Sequence, residues 1–104
     1  ILGTPGYMSP EQARGAREID GRSDIFSFGC LLYESFARQK PFAAESTIDV
    51  IYKIMHTEPA PLAHAELQNL VAKCLKKSPA ERFQNIREVS RALDKFVQNG
   101  FAVS

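Results

Sequence analysis

The most hydrophobic part of the chain lies between Asp24 and Ala37, where nearly every position is apolar or small. Its apolar residues do not keep to one stripe, so a helix here is hydrophobic around its whole circumference. Helices of this kind are normally buried on all sides. We therefore predict a buried central helix, capped at its start by Ser23 and Asp24 and followed by a stop at Lys40-Pro41.

Three later segments carry apolar residues at steps of three and four, the spacing of an amphipathic helix. Ser46 and Asn85 each precede such a segment, with an acidic residue three positions further on as in a capping box. Prolines at Pro59 and Pro79 end the first two segments, and Gly100 is placed to end the third in a left-handed conformation. The apolar positions are Ile48, Ile51, Ile54 and Met55, then Leu67, Leu70, Val71, Cys74 and Leu75, then Ile86, Val89, Leu93, Phe96 and Val97.

The polar and apolar pattern indicates one all-α unit. No segment alternates apolar and polar residues over the length of a strand, and no repeat of fixed period is present. A chain of 104 residues is enough for a single core but leaves little surplus to cover a helix on every side. We therefore expect the central helix to expose a large apolar face and the isolated chain to be loosely packed or prone to aggregation.

The opening segment, residues 3–11, reads as an ordered loop. It contains two prolines and two glycines, which oppose a regular helix or a central strand. It ends at Glu11, where a carboxylate is favourable at the start of a following helix. Because the chain does not begin with Met, we expect it to be part of a longer protein.

Four ordered motifs resemble the eukaryotic-type Ser/Thr protein kinase family. Residues 3–11, Gly-Thr-Pro-Gly-Tyr-Met-Ser-Pro-Glu, resemble the end of its activation segment, with Ser-Pro-Glu in place of Ala-Pro-Glu. Residues 24–29 resemble its Asp-x-Trp-x-x-Gly motif with Phe at the Trp position, and residues 40–42 resemble the Pro-Phe that follows. Residues 78–83 resemble the turn that carries a late Arg. The resemblance extends from about residue 1 to about residue 97.

This resemblance implies a partial kinase domain over residues 1–104, containing the end of the activation segment and the C-terminal helices of the large lobe. The N-terminal lobe and the catalytic loop are absent, and so are the motifs that bind ATP and Mg²⁺. The parent would transfer the γ-phosphoryl group of ATP to protein Ser or Thr. We expect no catalytic residue and no cofactor in this segment, and we expect the segment to be inactive alone.

The same resemblance implies that Gly3, Thr4, Pro5, Gly6 and Tyr7 bind the substrate residue that follows the phosphoacceptor. The hydroxyl of Thr4 would bond the catalytic Asp and a neighbouring Lys, both in the missing part of the parent. The loop could instead be an ordinary Pro/Gly turn, and Thr4 could instead be a phosphorylation site. The expected partners are thus a protein substrate and the preceding part of the kinase domain.

Structural roles fall to Glu11, Arg82, Asp24 and Gly29 by the same resemblance. Glu11 and Arg82 would form a buried ion pair, for which only Arg offers a planar fork; the alternative is two unrelated surface charges. Asp24 would brace the catalytic loop as well as the helix start, so we expect its carboxylate to lack partners in this chain. Gly29 is the last residue of its motif.

Composition and charge limit the classes of partner that we expect for this chain. Thirteen basic and twelve acidic residues leave a net charge of +1, which argues against binding to nucleic acid, and no apolar run is long enough to cross a membrane. Cys30 and Cys74 suit reduced, buried thiols in a cytoplasmic protein, although a membrane anchor elsewhere in the parent stays open. His56 and His64 have no metal-ligand spacing, so we predict surface residues and no metal site.

A non-catalytic alternative belongs to a different class. A pseudokinase or a truncated gene product would use its helical surface to bind a partner. Ile51, Tyr52 and Met55 could then form a docking surface, although such a stripe is more often part of the core. An unrelated helical bundle would require the ordered motifs to be coincidental.

Overall fold

The computed structural model describes residues 5–101, which form five α-helices with short turns before, between and after them. No strand occurs in this range, so the all-α prediction is confirmed. The helices are α1 (Pro10–Ala13), α2 (Gly21–Ala37), α3 (Thr47–His56), α4 (Ala65–Cys74) and α5 (Ile86–Phe96). Two 3-10 turns, Pro5–Tyr7 and Pro79–Glu81, precede α1 and α5, and a π-helical turn, Val97–Phe101, follows α5.

Two of the predicted helix starts are confirmed by their side-chain caps. The Ser46 hydroxyl accepts a hydrogen bond from the Asp49 N–H at 3.1 Å, and the Asn85 amide oxygen accepts one from the Glu88 N–H at 3.0 Å. Each bond satisfies one of the N–H groups that lack a partner in the first helical turn. His64 caps α4 in the same way through Nδ1, a role that the sequence pattern did not indicate.

The predicted start of α2 was wrong. The helix begins at Gly21, because Asp20 accepts a hydrogen bond from the Arg22 N–H at 2.9 Å and so caps the chain earlier than expected. Ser23 lies inside the helix and is buried, where its hydroxyl makes a tertiary contact instead of a cap. Asp24 remains in the first turn, where a negative charge is favourable.

The ends of α2 and α5 differ from each other. Arg38 adopts a left-handed conformation, with φ of 63°, and its N–H bonds the Glu34 carbonyl oxygen, which ends α2 shortly before Lys40-Pro41. The chain is still helical at Gly100, within the π turn, so the predicted left-handed cap at Gly100 was wrong. There the helix ends by widening its hydrogen-bonded turn.

The core surrounds α2, which packs against α4 and the segment that follows α2. Phe26 and Phe42 stack with their ring centroids 5.9 Å apart and their planes 9° apart. The buried hydrophobic residues are Ile25, Phe26, Cys30, Tyr33, Phe42, Ile54, Leu67, Leu70, Val71, Cys74, Leu75, Phe83, Val89 and Phe96.

Gly29 lies at a close contact between α2 and the end of α4. A Cβ atom at this position would lie 2.6 Å from Cys74 Cβ and 3.0 Å from Leu75 Cδ2. Both distances are too short for ordinary contact, so any larger residue would push the two helices apart. Glycine is therefore required here by helix packing.

Part of α2 stays uncovered by the described residues. Leu31 is 53% exposed and Phe36 is 44% exposed, although the opposite side of the helix is buried. This agrees with the expected exposed apolar face on the central helix. None of the described helices has the length and apolar content needed to span a membrane.

The two cysteines of the chain are buried and unpaired, as predicted. Burial raises the pKa of Cys30 and of Cys74 to about 12, so both thiols stay protonated at neutral pH. A protonated, enclosed thiol is a poor nucleophile.

Candidate functional site

The opening loop is held on α2 through Tyr7. The Ser27 hydroxyl donates a hydrogen bond to the Tyr7 carbonyl oxygen at 2.6 Å, and the Tyr7 hydroxyl donates one to the Glu34 carboxylate. The bond to Glu34 raises the pKa of Tyr7. The ammonium of Lys40 lies 5.2 Å from the centroid of the Tyr7 ring, within cation–π range. Of the predicted substrate-loop residues, Pro5, Gly6 and Tyr7 are therefore on one short turn, whereas Gly3 and Thr4 lie outside the described residues.

The loop passes directly into α1 through a reciprocal cap. The Ser9 hydroxyl accepts a hydrogen bond from the Gln12 N–H at 3.2 Å, and the Ser9 N–H donates one to the Gln12 side-chain oxygen at 2.9 Å. Pro10 occupies the first helical position, where its missing N–H costs nothing. The sequence Ser-Pro-Glu thus starts a helix locally and places Glu11 in the first turn.

Glu11 and Arg82 form a buried, bidentate ion pair. Arg82 Nη1 donates to Glu11 Oε2 at 2.7 Å, and Arg82 Nη2 donates to Glu11 Oε1 at 2.8 Å. The residues are 4% and 2% exposed, respectively. The planar guanidinium fits both carboxylate oxygens at once, which a lysine does not achieve.

The other N–H groups of Arg82 bond backbone carbonyl oxygens in two parts of the chain. Nε donates to the Lys76 oxygen at 2.8 Å, Nη1 to the Arg22 oxygen at 3.0 Å and Nη2 to the Lys77 oxygen at 3.2 Å. All five donors of the guanidinium are therefore used. The group also lies 5.0 Å from the centroid of the Phe26 ring. Arg82 consequently joins α1, the start of α2 and the segment after α4.

Two serines complete this buried cluster, a role that the sequence analysis assigned to neither of them. The Ser23 hydroxyl donates to Glu11 Oε2 at 2.5 Å, and the hydroxyl oxygens of Ser9 and Ser23 are 2.9 Å apart. Because the single proton of Ser23 goes to Glu11, the Ser9 hydroxyl donates to Ser23. Ser9 stands where the resembled motif has Ala, and this departure was the available signal.

Opposing effects determine the charge of Glu11. Burial raises the pKa of Glu11, but the hydrogen bonds from Arg82 and Ser23 favour the carboxylate more strongly and bring the pKa to about 2. The Glu11 side chain is therefore ionised at neutral pH. The cluster is a structural support for the loop, with no group positioned to react.

Asp24 lies at the surface, in contrast to the buried Arg82. Asp24 is exposed and accepts no hydrogen bond from another described residue. It lines a cavity of about 580 Å³ between the starts of α2 and α5, together with Asp20, Arg22 and Gln84. This is the carboxylate that we expected to lack partners within the chain.

A groove of about 280 Å³ runs beside the loop, between residues 5–6 and the start of α3. Lys40 lines this groove and lies across Gly6. A Cβ atom on Gly6 would be 3.2 Å from Lys40 Cδ and 3.8 Å from Lys40 Nζ. Phe42 and Val50 supply apolar lining, and Glu45 supplies a carboxylate. The groove thus combines an apolar surface with one cation next to the loop and one anion.

Lys77 caps the C-terminal end of α3, which the sequence pattern did not predict. Its ammonium donates to the carbonyl oxygens of Ile54 at 2.6 Å, Thr57 at 2.7 Å and Lys53 at 3.3 Å. It also lies 4.4 Å from the centroid of the Phe42 ring. Burial lowers the pKa of Lys77 to about 8. The contact fixes the position of α3 relative to the core.

The other residues considered in the sequence analysis, the two histidines and the apolar residues of α3, do not come together as one site within residues 5–101. The rings of His56 and Tyr52 are 4.7 Å apart on α3, and His64 caps α4. Within residues 5–101, no three or more His, Cys, Asp or Glu side chains are grouped so as to hold a metal ion. On α3, Ile48 is 78% exposed and Tyr52 is 61% exposed, whereas Ile51 and Met55 are half-buried.

Comparison with known proteins gives one consistent family. The family model described as protein kinase domain matches residues 1–94. Serine/threonine-protein kinase PknB of Mycobacterium tuberculosis is 39% identical over 106 residues, covering 96% of this chain and 17% of that protein. PknB of Mycolicibacterium smegmatis is 41% identical over 95 residues, covering 86% of this chain and 15% of that protein. A probable serine/threonine-protein kinase of Streptomyces coelicolor is 39% identical, covering 86% and 14%, respectively. The chain therefore spans about one sixth of the length of these relatives.

Proposed function

We propose a function for this chain from one established premise: it belongs to the protein kinase domain family. The chain is the C-terminal part of the large lobe of a serine/threonine kinase, and residues 1–104 include the end of its activation segment. The parent transfers the γ-phosphoryl group of ATP to Ser or Thr of a protein substrate. The names of its relatives, all serine/threonine kinases, support this assignment over a non-catalytic module.

The observation that carries this proposal is the attachment of the opening loop to the helices. Tyr7 is bound to α2 at its hydroxyl and at its carbonyl oxygen, and Glu11 is bound to Arg82 through two hydrogen bonds. A loop supported at both of its ends is pre-organised, which lowers the cost of ordering it when a peptide binds. We propose that Gly3, Thr4 and residues 5–7 receive the substrate residue that follows the phosphoacceptor.

We assign ATP and Mg²⁺ to the parent outside this chain. Phosphoryl transfer depends on positioning and on stabilisation of charge by groups that contact the phosphates and the metal. The sequence has no Gly-rich loop, no His-Arg-Asp and no Asp-Phe-Gly motif. The contribution of this chain is to hold the peptide and to support the part of the parent that carries the catalytic groups. The two unpaired thiols favour a cytoplasmic location for it.

A phosphorylation assay tests this proposal. The full-length parent should transfer ³²P from ATP to Ser or Thr of a protein substrate in the presence of Mg²⁺, whereas residues 1–104 alone should not. Absence of transfer by the parent, with ATP bound, would favour the non-catalytic alternative. Transfer to Tyr would contradict the substrate class.

The variant Tyr7→Phe tests the loop itself. It removes the hydrogen bond to Glu34 and keeps the ring, so we expect a higher KM for a peptide substrate and an unchanged KM for ATP. The matched control is Tyr52→Phe, because Tyr52 is 61% exposed on α3. Equal effects of both substitutions on the peptide KM would contradict a substrate-positioning role for this loop.

A further inference from the structure

We propose that Lys40 is a specificity-determining residue that selects protein substrates with an anionic side chain shortly after the phosphoacceptor. This inference rests on the proposed function and refines it, because it assigns a substrate class to the groove beside the opening loop. It depends on three observations: the position of the Lys40 ammonium, its lack of an anionic partner, and the groove that gives access to it.

The position of Lys40 follows from its contacts with the loop. The ammonium lies 5.2 Å from the centroid of the Tyr7 ring and would be 3.8 Å from a Cβ atom on Gly6. A Cβ atom at Gly6 would meet the Lys40 stem at 3.2 Å, so the lysine side chain lies directly across this residue of the loop. The cation is thus held directly on the residues proposed to receive the peptide.

The charge of Lys40 has no counter-ion within the described part of the chain. The two ion pairs there join other residues, Arg22 with Asp20 and Arg82 with Glu11. Glu34, which shares the Tyr7 contact, accepts the hydrogen bond of the tyrosine hydroxyl. An ammonium fixed beside a binding groove without a carboxylate partner favours ligands that bring one.

The groove provides the approach to this cation. Pro5, Gly6 and Lys40 line it on the loop side, and Phe42 and Val50 line it with apolar surface. Its volume of about 280 Å³ suits one or two side chains of an extended peptide. A peptide that leaves the loop through this groove would place a carboxylate or a phosphate next to the ammonium, since both present oxygen acceptors to it.

Glu45 provides an internal control, since its carboxylate lines the same groove and would repel an anionic substrate. If overall groove charge determined selection, then neutralising Glu45 and neutralising Lys40 would shift the preference by similar amounts in opposite directions. If the anionic side chain instead contacts the Lys40 ammonium directly, Lys40→Met should reduce the preference for anionic peptides by more than Glu45→Gln increases it.

The experiment uses the full-length parent and peptides that carry Ala, Glu, phosphoserine or Lys at each of the four positions after the phosphoacceptor. We expect Glu or phosphoserine at one of these positions to raise kcat/KM about two- to fivefold over Ala, the range for partly exposed ion pairs. Lys40→Met should abolish this ratio of Glu or phosphoserine to Ala, and Lys40→Glu should invert it in favour of Lys. The comparison of Glu with phosphoserine identifies which anion the groove prefers.

The outcomes separate this inference from the proposed function. If the parent phosphorylates the Ala peptide but the ratios are the same in wild type, Lys40→Met and Lys40→Glu, the assignment of Lys40 is wrong and the kinase function stands. If the parent phosphorylates no peptide or protein, the proposed function is wrong, and the selection proposed for Lys40 falls with it.

Discussion

Replacing Glu11 with Gln tests how strongly the buried ion pair stabilises the fold. The substitution keeps the size of the side chain and removes its charge. Arg82 would keep three backbone carbonyl acceptors, but its positive charge would be buried without an anion. The Ser23 hydroxyl would also lose its carboxylate acceptor. We therefore expect a large loss of stability from a change of one functional group.

The magnitude follows from two lines of reasoning. Removing one partner of a buried ion pair costs about 3 to 5 kcal/mol, against a total stability of about 5 to 15 kcal/mol for a domain. The pKa of Glu11 is about 2, compared with an ordinary value of 4.5. That difference corresponds to about 3 kcal/mol in favour of the charged form in the folded state. We therefore expect Glu11→Gln to lower the free energy of unfolding by about 3 kcal/mol at pH 7.

The assay is urea unfolding of a double-mutant cycle with Glu11→Gln and Arg82→Met. We expect a coupling free energy of about 2 to 3 kcal/mol, because the two residues contact each other through two hydrogen bonds. If a single variant is unfolded without denaturant, the cycle is measured in a stabilising osmolyte for all four proteins.

The matched control is the ion pair of Asp20 and Arg22, which has a similar N–O distance of 3.0 Å but side chains 59% and 30% exposed, respectively. Asp20→Asn retains a capping residue, so the cycle with Arg22→Met isolates the exposed charge pair. Its coupling should stay below about 1 kcal/mol. Equal coupling in the two cycles, or none at Glu11 and Arg82, would refute a stabilising role based on burial.

Three further predictions concern Gly29, the pH dependence of Glu11, and Lys77. Gly29→Ala should lower the free energy of unfolding by about 1 to 3 kcal/mol, measured with urea, because its methyl group would lie 2.6 Å from Cys74 Cβ. The stabilising effect of Glu11, whose pKa is lowered in the folded state, should be complete above pH 4.5 and lost as the pH falls towards 2. Lys77→Met should speed amide hydrogen exchange at the C-terminal turn of α3, because three carbonyl oxygens lose their donor.

Each of these predictions has a control in the same chain. Gly21→Ala should change stability little, since a Cβ atom there has no neighbour within 4 Å; a similar loss at both glycines would contradict the packing explanation. Acid titration of Glu11→Gln should lack the part of the stability change assigned to this carboxylate, and unchanged curves would contradict it. Lys76→Met, at an exposed position, should leave exchange in α3 unaltered.

The parts of the fold that depend on neighbours in sequence were predictable. Ser46 and Asn85 cap helices because the N–H groups they bond lie only three residues further on. The resemblance to a kinase motif also pointed to Glu11 and Arg82 as a pair. In contrast, the role of Ser23 was mistaken, because its hydroxyl bonds a carboxylate twelve residues away rather than its own helix.

The contacts of the two lysines were not predictable, for a related reason. Lys77 has the appearance of an ordinary surface charge in the sequence, and it reaches the carbonyl oxygens at the end of α3 only in the folded chain, across 23 positions of sequence. The position of Lys40 over Gly6 likewise depends on where the loop lies against α2. Such contacts are set by the packing of helices, which periodicity alone does not specify.

The sequence separation of Glu11 and Arg82 has a consequence for the kinetics of folding. Glu11 and Arg82 are 71 positions apart, so the chain between them must be brought into a closed loop before the guanidinium meets the carboxylate, and this closure has an entropic cost that local helices avoid. The contact should therefore form after the rate-limiting barrier, with a φ-value near zero. In that case, loss of the pair would mainly accelerate unfolding and leave the refolding rate nearly unchanged, so the arginine governs how long the native state persists.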